Sequence, residues 1–285
     1  MSVRVAPLAF LLVVSAACAS RSTPPVVTPT PAQGATPAAA ENLDAVLWTQ
    51  TSVEYRATAL QAYATARLQL DRALADPGWT AAIEQVGKPM ASLPPAIILD
   101  ADETVLDNSP YQARLILDNA TFTEAGWAAW VEERKAAAIP GAVAFTQYAR
   151  DRGVTVFFVT NRNPGEERAT RDNLAALGFP LDPARDTVLT RRERPEWPSD
   201  KTTRRELVAR EFRILLLVGD DLGDFLPSQG TVAERDARVA PYADWWGTRW
   251  IVLANPTYGS WMSAITGAAP GGTAPSKRAE LRPMR

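Results

Sequence analysis

AIILDADETVLDN, residues 96–108, is the stretch that decides the fold. Ala96 to Leu99 are four apolar residues of strand length, and they stop abruptly at Asp100, Ala101, Asp102, Glu103 and Thr104. A strand that empties into carboxylates presents them at its C-terminal edge, where open α/β sheets keep their ligands. Asp100 and Asp102 are two positions apart and flank one point once the chain leaves the extended conformation, so that one can attack and ligate a metal while the other moves protons. Short Asp-x-Asp strings also occur in solvated turns and in calcium loops. A calcium hand fails on spacing, because its sixth and twelfth positions want Gly and Glu and here hold Val105 and Tyr111.

Working outward, the same pattern recurs. Val154 to Val159 (VTVFFV) is a second apolar strand and ends in Thr160, Asn161 and Arg162. Ile214 to Val218 is a third and ends in Gly219, Asp220, Asp221, Leu222, Gly223, Asp224 and Phe225. Trp250 to Leu253 is a fourth, followed by Asn255, Pro256 and Tyr258. Between them the spacing predicts helices over 123–138, 141–152, 164–177 and 201–211, with Thr123 and Asp200 as N-caps and Gly178 as a C-terminal stop. Strands alternating with helices, each unloading polar groups at the same end, define a doubly wound parallel α/β sheet with one functional rim. Upstream, 43–75 is free of Pro and Gly. Val53, Ala57, Leu60, Ala64 and Leu68 recur there at helical spacing and are expected to face the core of one or two amphipathic helices. Trp127, Trp130 and Val131 share one face of the 123–138 helix.

In chain order the rim offers Asp-x-Asp, Thr160, Lys201, and Asp220 with Asp224. These are the parts that phosphoryl transfer uses. A carboxylate nucleophile forms an aspartyl phosphate, a hydroxyl and an ammonium hold phosphoryl oxygens, and further carboxylates bind magnesium. Magnesium prefers a few hard oxygen donors, which suits Asp100 and Asp220 as direct ligands.

With these motifs the chain resembles the haloacid dehalogenase-like superfamily and, within it, the class C, four-aspartate, non-specific acid phosphatases of bacterial surface lipoprotein type. The resemblance rests on IILDADETVLDNSPY (97–111) and LLLVGDDLGDF (215–225), with WAAWVEERKAAAIPGAVAF (127–145) and VTNR (159–162) in support, and extends from about Leu43 to Trp261. It implies a Rossmannoid core with a smaller α-helical cap subdomain. The phosphatase part spans 41–267, with helical segments at 41–93 and 107–139 and the α/β core at 94–106 and 140–267; 268–285 is a polar tail. It also implies roles. Asp100 is the nucleophile and a Mg2+ ligand, and Asp102 is the acid and base, adding its backbone carbonyl to the metal. Thr160 and Lys201 bind the phosphoryl group, with Arg191 and Arg192 as rivals to the lysine. Asp220 is a metal ligand, and Asp224 holds the metal shell or Lys201, or fixes the loop. Asn161, Trp127 and Tyr258 are expected to contact the substrate, the two aromatics as a clamp on the ring of 5′-nucleotides, nicotinamide mononucleotide or aryl phosphates. Two departures stand out: Ala101 replaces the family's Ile or Leu, and Asp221 replaces Asn or Thr, adding a negative charge expected to perturb the metal site.

Before the phosphatase part, Arg4 precedes an apolar run from Val5 to Val14, then Ser15, Ala16 and Ala17 lead to Cys18, the only cysteine of the 285 residues. Residues 1–17 have the form of a lipoprotein signal peptide, too short to span a bilayer, and Cys18 is the expected lipidation site; the alternative is an ordinary cleavage site with a chance cysteine. Residues 18–40, rich in Pro and Thr, form the tether. Together they place the protein in a bacterial cell envelope, outer membrane or periplasm, held to the membrane by lipid. One cysteine excludes an internal disulfide. A net charge of −2 without a long basic run gives no reason to expect a nucleic acid polymer as partner. A homodimer stays open. The rival reading is a non-catalytic surface lipoprotein binding a phosphorylated or haem-like ligand, and a chain with no histidine supports haem poorly.

Overall fold

The computed structural model describes residues 42–266; the signal run, Cys18, the tether and the polar tail lie outside them. Five parallel strands form the central sheet in the order β5-β4-β1-β6-β7. They are β1 (Pro95–Leu99), β4 (Thr155–Val159), β5 (Val188–Leu189), β6 (Arg213–Gly219) and β7 (Trp250–Val252). The first strand lies at the centre because it is buried on both faces: Ile97 and Leu99 belong to one apolar core, Ala96 and Ile98 to the other. The first core lies under α1 (Leu43–Thr51), α2 (Val53–Ala75), α5 (Ala142–Asp151) and α6 (Glu167–Leu177). Helix α7 (Thr202–Glu211), Trp197 and Trp250 close the second. This is the doubly wound α/β architecture expected from the strand and helix alternation.

The face that α2 buries is not the expected one. Val53, Leu60 and Leu68 are 75%, 52% and 64% exposed, whereas Tyr55, Ala59, Tyr63, Ala66, Leu70 and Ala73 pack inward. The inward stripe alternates alanines with tyrosines, so the helix can lie close to the sheet while the Tyr63 hydroxyl reaches the carbonyl of Thr104 at 2.6 Å. Hydropathy alone favours the Val/Leu stripe and is outvoted by fit.

Between β1 and α5 the chain builds the cap from α3 (Ser109–Leu117), α4 (Glu124–Glu132) and a small antiparallel ribbon of β2 (Leu106–Asp107) with β3 (Ala137–Ala138). The cap is therefore mixed rather than all-helical. The expected 123–138 helix starts as foreseen, Thr123 accepting the Gly126 N–H at 3.0 Å, but it ends at Glu132. Arg134 adopts a left-handed φ of 54°, which a helix cannot continue through, and the chain turns back to pair with the residues that follow the Asp-x-Asp loop. Further on, α8 (Val232–Val239) and α9 (Ser260–Thr266) flank the last strand.

Candidate active site

The site begins as a continuation of β1. The Asp100 N–H donates to the Val218 carbonyl at 2.9 Å, so the side chain of Asp100 leaves the sheet from a fixed backbone. The chain then folds back sharply. The Ala101 carbonyl accepts the N–H groups of Val105 and Leu106 at 3.0 and 2.9 Å, and Glu103 takes a left-handed φ of 58°. Tyr63 braces this loop from α2. Non-glycine residues at positive φ persist where surrounding contacts over-determine them, and Glu103 is held by the Asn108 N–H at 2.9 Å and by the Tyr258 hydroxyl.

Lys201 stands at the entrance to α7, where the Thr202 N–H is capped by Asp200 at 2.8 Å. One turn into the helix, Arg204 is buried and donates to the Thr160 carbonyl at 2.5 Å and to Asn161 Oδ1 at 2.7 Å. Helix α7 thereby locks the end of β4 to the lysine. The Lys201 Nζ donates to Asp100 Oδ1 and, at 2.7 Å, to Asp224 Oδ1. Neither Arg191 nor Arg192 shares this position; Arg191 pairs with Glu124 at 2.9 Å on the cavity wall.

Asp100, Asp220 and Asp224 bring carboxylate oxygens within 4.8 Å of one another. Asp220 accepts from Thr104 Oγ1 and from Asn255 Nδ2, both at 2.9 Å, one bond on each oxygen, so lone pairs remain for a cation. Asp224 is more fully committed: Oδ1 to Lys201 and Oδ2 to the N–H groups of Asp220 and Asp221, both at 3.0 Å. Burial pushes the Asp100 carboxyl up to about 7, Asp224 and Asp102 adding to the shift and Lys201 opposing it. Burial likewise raises Asp220 well above the usual carboxylate range, with Asp224 and Asp100 contributing. Burial works against the charge of Lys201, but Asp100 and Asp224 outweigh it and hold its pKa up. Three crowded carboxylates facing one ammonium leave an excess of negative charge. The donor set is all hard oxygen, and it fits magnesium.

Asp221 does not join this cluster. Its carboxylate accepts from the N–H and hydroxyl of Ser260 at 2.6 and 2.7 Å and from the Gly223 N–H at 2.8 Å, a turn-fixing role that ties α9 to the loop.

Asp102 is not one of the three converging carboxylates. Its side chain is held by Arg162 at 2.7 Å, by Asn108 Nδ2 at 2.9 Å and, more loosely, by the Thr160 hydroxyl at 3.4 Å. Arg204 is the arginine of the KTTR run, 201–204, that resembles the family's Lys-x-x-Arg, whereas Arg162, Glu103, Thr104 and Asn255 stand in the sequence at strand ends with no role assigned to them. For Arg162 and Glu103 a signal existed, since each is a charged residue adjoining an apolar strand end.

Above these groups lies a cavity of about 600 Å³. Trp127, Phe122 and Tyr258 form its aromatic wall, with Asn161 also at its edge. Trp127 and Trp130, expected on one face, divide: Trp130 is buried with its indole N–H on Asn108 Oδ1 at 2.8 Å, while Trp127 is half-buried and lines the cavity.

A parallel α/β sheet that delivers three carboxylates and a lysine to one rim defines a metal-assisted phosphoryl-transfer hydrolase. The chain matches, over residues 16–261, the family described as HAD superfamily, subfamily IIIB (Acid phosphatase). The class C acid phosphatase from Bacillus anthracis is similar at 32% identity and a TM-score of 0.74, over 87% of this chain and 99% of that one. The same enzyme with tungstate bound is similar at 31% identity and a TM-score of 0.74, with the same coverage. The protein belongs to the HAD-superfamily subfamily IIIB acid phosphatases, and its activity is that of a magnesium-dependent acid phosphatase working through the Asp100, Asp220 and Asp224 cluster.

Proposed function

We propose that the protein hydrolyses small phosphate monoesters, 5′-nucleotides, nicotinamide mononucleotide and aryl phosphates among them, through a phosphoryl group carried transiently on Asp100. The observation that carries this reading is the placement of Asp100: it is the first side chain past β1, it shares Lys201 with Asp224, and it lies in the carboxylate triad. Asp100, Asp220 and the backbone carbonyl of Asp102 would hold magnesium, with Asp224 in support, and the bound cation would offset the repulsion between a phosphate dianion and the carboxylates.

The steps follow from the chain's own groups. Lys201 and Thr160 hold non-bridging oxygens of the phosphoryl group. The Asp100 carboxylate attacks phosphorus, the ester P–O bond breaks, and Asp102 gives its proton to the departing oxygen. Asp102, now a carboxylate, takes a proton from water, whose oxygen attacks phosphorus and frees Asp100 and inorganic phosphate. Trp127 and Tyr258 sandwich a planar leaving group, and Asn161 contacts it at the cavity edge. Tyr258 is suited to this because its hydroxyl is anchored on Glu103, which leaves only the ring to meet a ligand.

Cys18 carries the lipid, and the 18–40 tether holds the enzyme off a membrane in the cell envelope. Among the described residues no helix is long and apolar enough to cross a membrane. The deciding experiment is phosphate release from a panel of nucleotide, aryl and alkyl phosphates, with magnesium and with chelator. Turnover insensitive to chelation, or none at all, would sink the reading; mass analysis of the mature N-terminus tests the anchor.

A further inference from the structure

We infer that Arg162 is the positioning residue of Asp102: with Asn108 it occupies one carboxyl oxygen and leaves the other to meet the leaving group. The inference rests on the acid role given to Asp102 above.

Arg162 is 2% exposed, so its charge has been taken out of water and must be repaid by contacts. Its main partner is Asp102. Nε and Nη2 donate to Asp102 Oδ1 at 3.0 and 2.7 Å, and Asn108 Nδ2 donates to the same oxygen at 2.9 Å. Nε also reaches Oδ2 at 3.3 Å, and the Thr160 hydroxyl stands 3.4 Å from that oxygen. An sp² oxygen has two lone pairs, and Oδ1 already faces three N–H donors. A proton on this carboxyl therefore belongs on Oδ2, the oxygen on the side of Thr160, where the phosphoryl group is held. Which oxygen delivers the proton is set by the second layer of groups.

That layer is itself fixed. Nη1 of Arg162 donates to the Thr170 hydroxyl at 3.0 Å, a residue of α6, and the guanidinium carbon lies 5.5 Å from the centroid of the Trp127 ring. Asn108 is oriented by the Trp130 indole N–H. The planar fork can place two N–H bonds on one oxygen while bonding behind to Thr170. A lysine keeps the charge and has no such fork.

The test uses Arg162→Lys and Thr170→Val in the full chain with magnesium, each checked by thermal melting. Turnover is measured on glycerol phosphate, whose poor leaving group needs a proton, and on 4-nitrophenyl phosphate, whose good one does not. Arg162→Lys should lower kcat on glycerol phosphate about 100-fold, the scale of a general acid's contribution, and on 4-nitrophenyl phosphate by no more than a few-fold, with KM little changed. Thr170→Val, which loosens the guanidinium without touching the site, should shift the same ratio less. In an Asp102→Asn background Arg162→Lys should cost nothing more. Equal losses on the two substrates, or additive losses in the double variant, overturn the inference. If Arg162→Lys does not fold, an unchanged ratio in Thr170→Val does so. Should Asp102→Asn itself show no preference between leaving groups, the acid role falls, and the inference with it; a selective Asp102→Asn beside an unselective Arg162→Lys overturns the positioning alone.

Discussion

Lys201 Nζ lies 2.7 Å from Asp224 Oδ1, while the other oxygen of Asp224 accepts the N–H groups of both Asp220 and Asp221. One carboxylate thus sets the phosphate-binding ammonium and the backbone of the metal-binding loop together. It can do so only because residue 219 has no side chain: a Cβ there would stand 2.2 Å from Asp224 Oδ2 and 2.3 Å from its Cβ.

The first prediction follows from that contact. Gly219→Ala must push Asp224 aside, and because the clash involves the Asp224 Cβ as well as its carboxylate, rotation of the side chain alone cannot relieve it. Lys201 then loses a partner, and the Asp220 and Asp221 N–H groups lose their acceptor. We expect at least a roughly tenfold loss of kcat/KM and weaker magnesium binding by calorimetry. Wild-type metal affinity in the variant would show that Asp224 does not organise the loop.

A second prediction concerns the nucleophile. Asp100→Asn keeps the shape of the side chain and removes its charge, so turnover should fall by more than about a hundredfold, as removal of a nucleophile does elsewhere. Circular dichroism should be unchanged, since β1 is held by Ala96 to Leu99 in the two apolar cores. Residual activity above about a hundredth of wild type would move the nucleophile elsewhere.

The sequence made the strands and their polar ends legible because apolar runs ending in Asp, Thr or Gly leave little choice of structure. Cap and bracing were less legible. The turn at Arg134 depends on pairing with Leu106 and Asp107, nearly thirty positions earlier, which no local pattern encodes. The inward face of α2 depends on Tyr63 reaching Thr104 and on alanines that allow close approach, a matter of fit that hydropathy ranks below Val and Leu. The hold of Asp221 on Ser260 was not legible either, because a turn residue's partner is set by where a later helix returns. Asp100 and Lys201, by contrast, were recognisable because chemistry demands their types at strand and helix ends.

The third prediction is a pH dependence of stability without metal. Asp100, raised to about 7, and Asp220, raised in the same direction, bind protons more tightly in the folded chain than unfolded. Their contribution to stability is therefore fully present below the unfolded pKa, about 4, and is lost as pH rises toward and past 7. In chelator the melting temperature should fall between pH 5 and pH 8, and added magnesium should restore more at the upper end, because a cation binds the ionised carboxylates. A melting temperature in chelator that rises over this interval would contradict the burial of the triad.

The last prediction separates the aromatic wall from the chemistry. Trp127 lies across the cavity rim with its ring flanked by Tyr111 and Phe122, centroids at 5.3 and 6.4 Å, and by the Arg162 guanidinium. Tyr258 reaches the same cavity from the loop after β7, its hydroxyl held by Glu103. Tyr258 is placed by a contact at its tip, and Trp127 by an edge-to-face contact with Tyr111 and by the guanidinium over one face, which holds both rings at the cavity wall. Base stacking contributes about 1 to 3 kcal/mol, so removing one ring should weaken use of a 5′-nucleotide roughly tenfold or more and leave glycerol phosphate little changed. Trp127→Ala carries an additional consequence, since the Arg162 guanidinium loses the ring it lies over and a modest loss on alkyl phosphates should accompany the nucleotide defect; Tyr258→Ala takes one of two holds from Glu103, so its loss on glycerol phosphate should be small beside the nucleotide defect. Comparing kcat/KM of both variants on the two substrates checks this. Equal losses on nucleotide and glycerol phosphate for Tyr258→Ala would make that ring part of the scaffold.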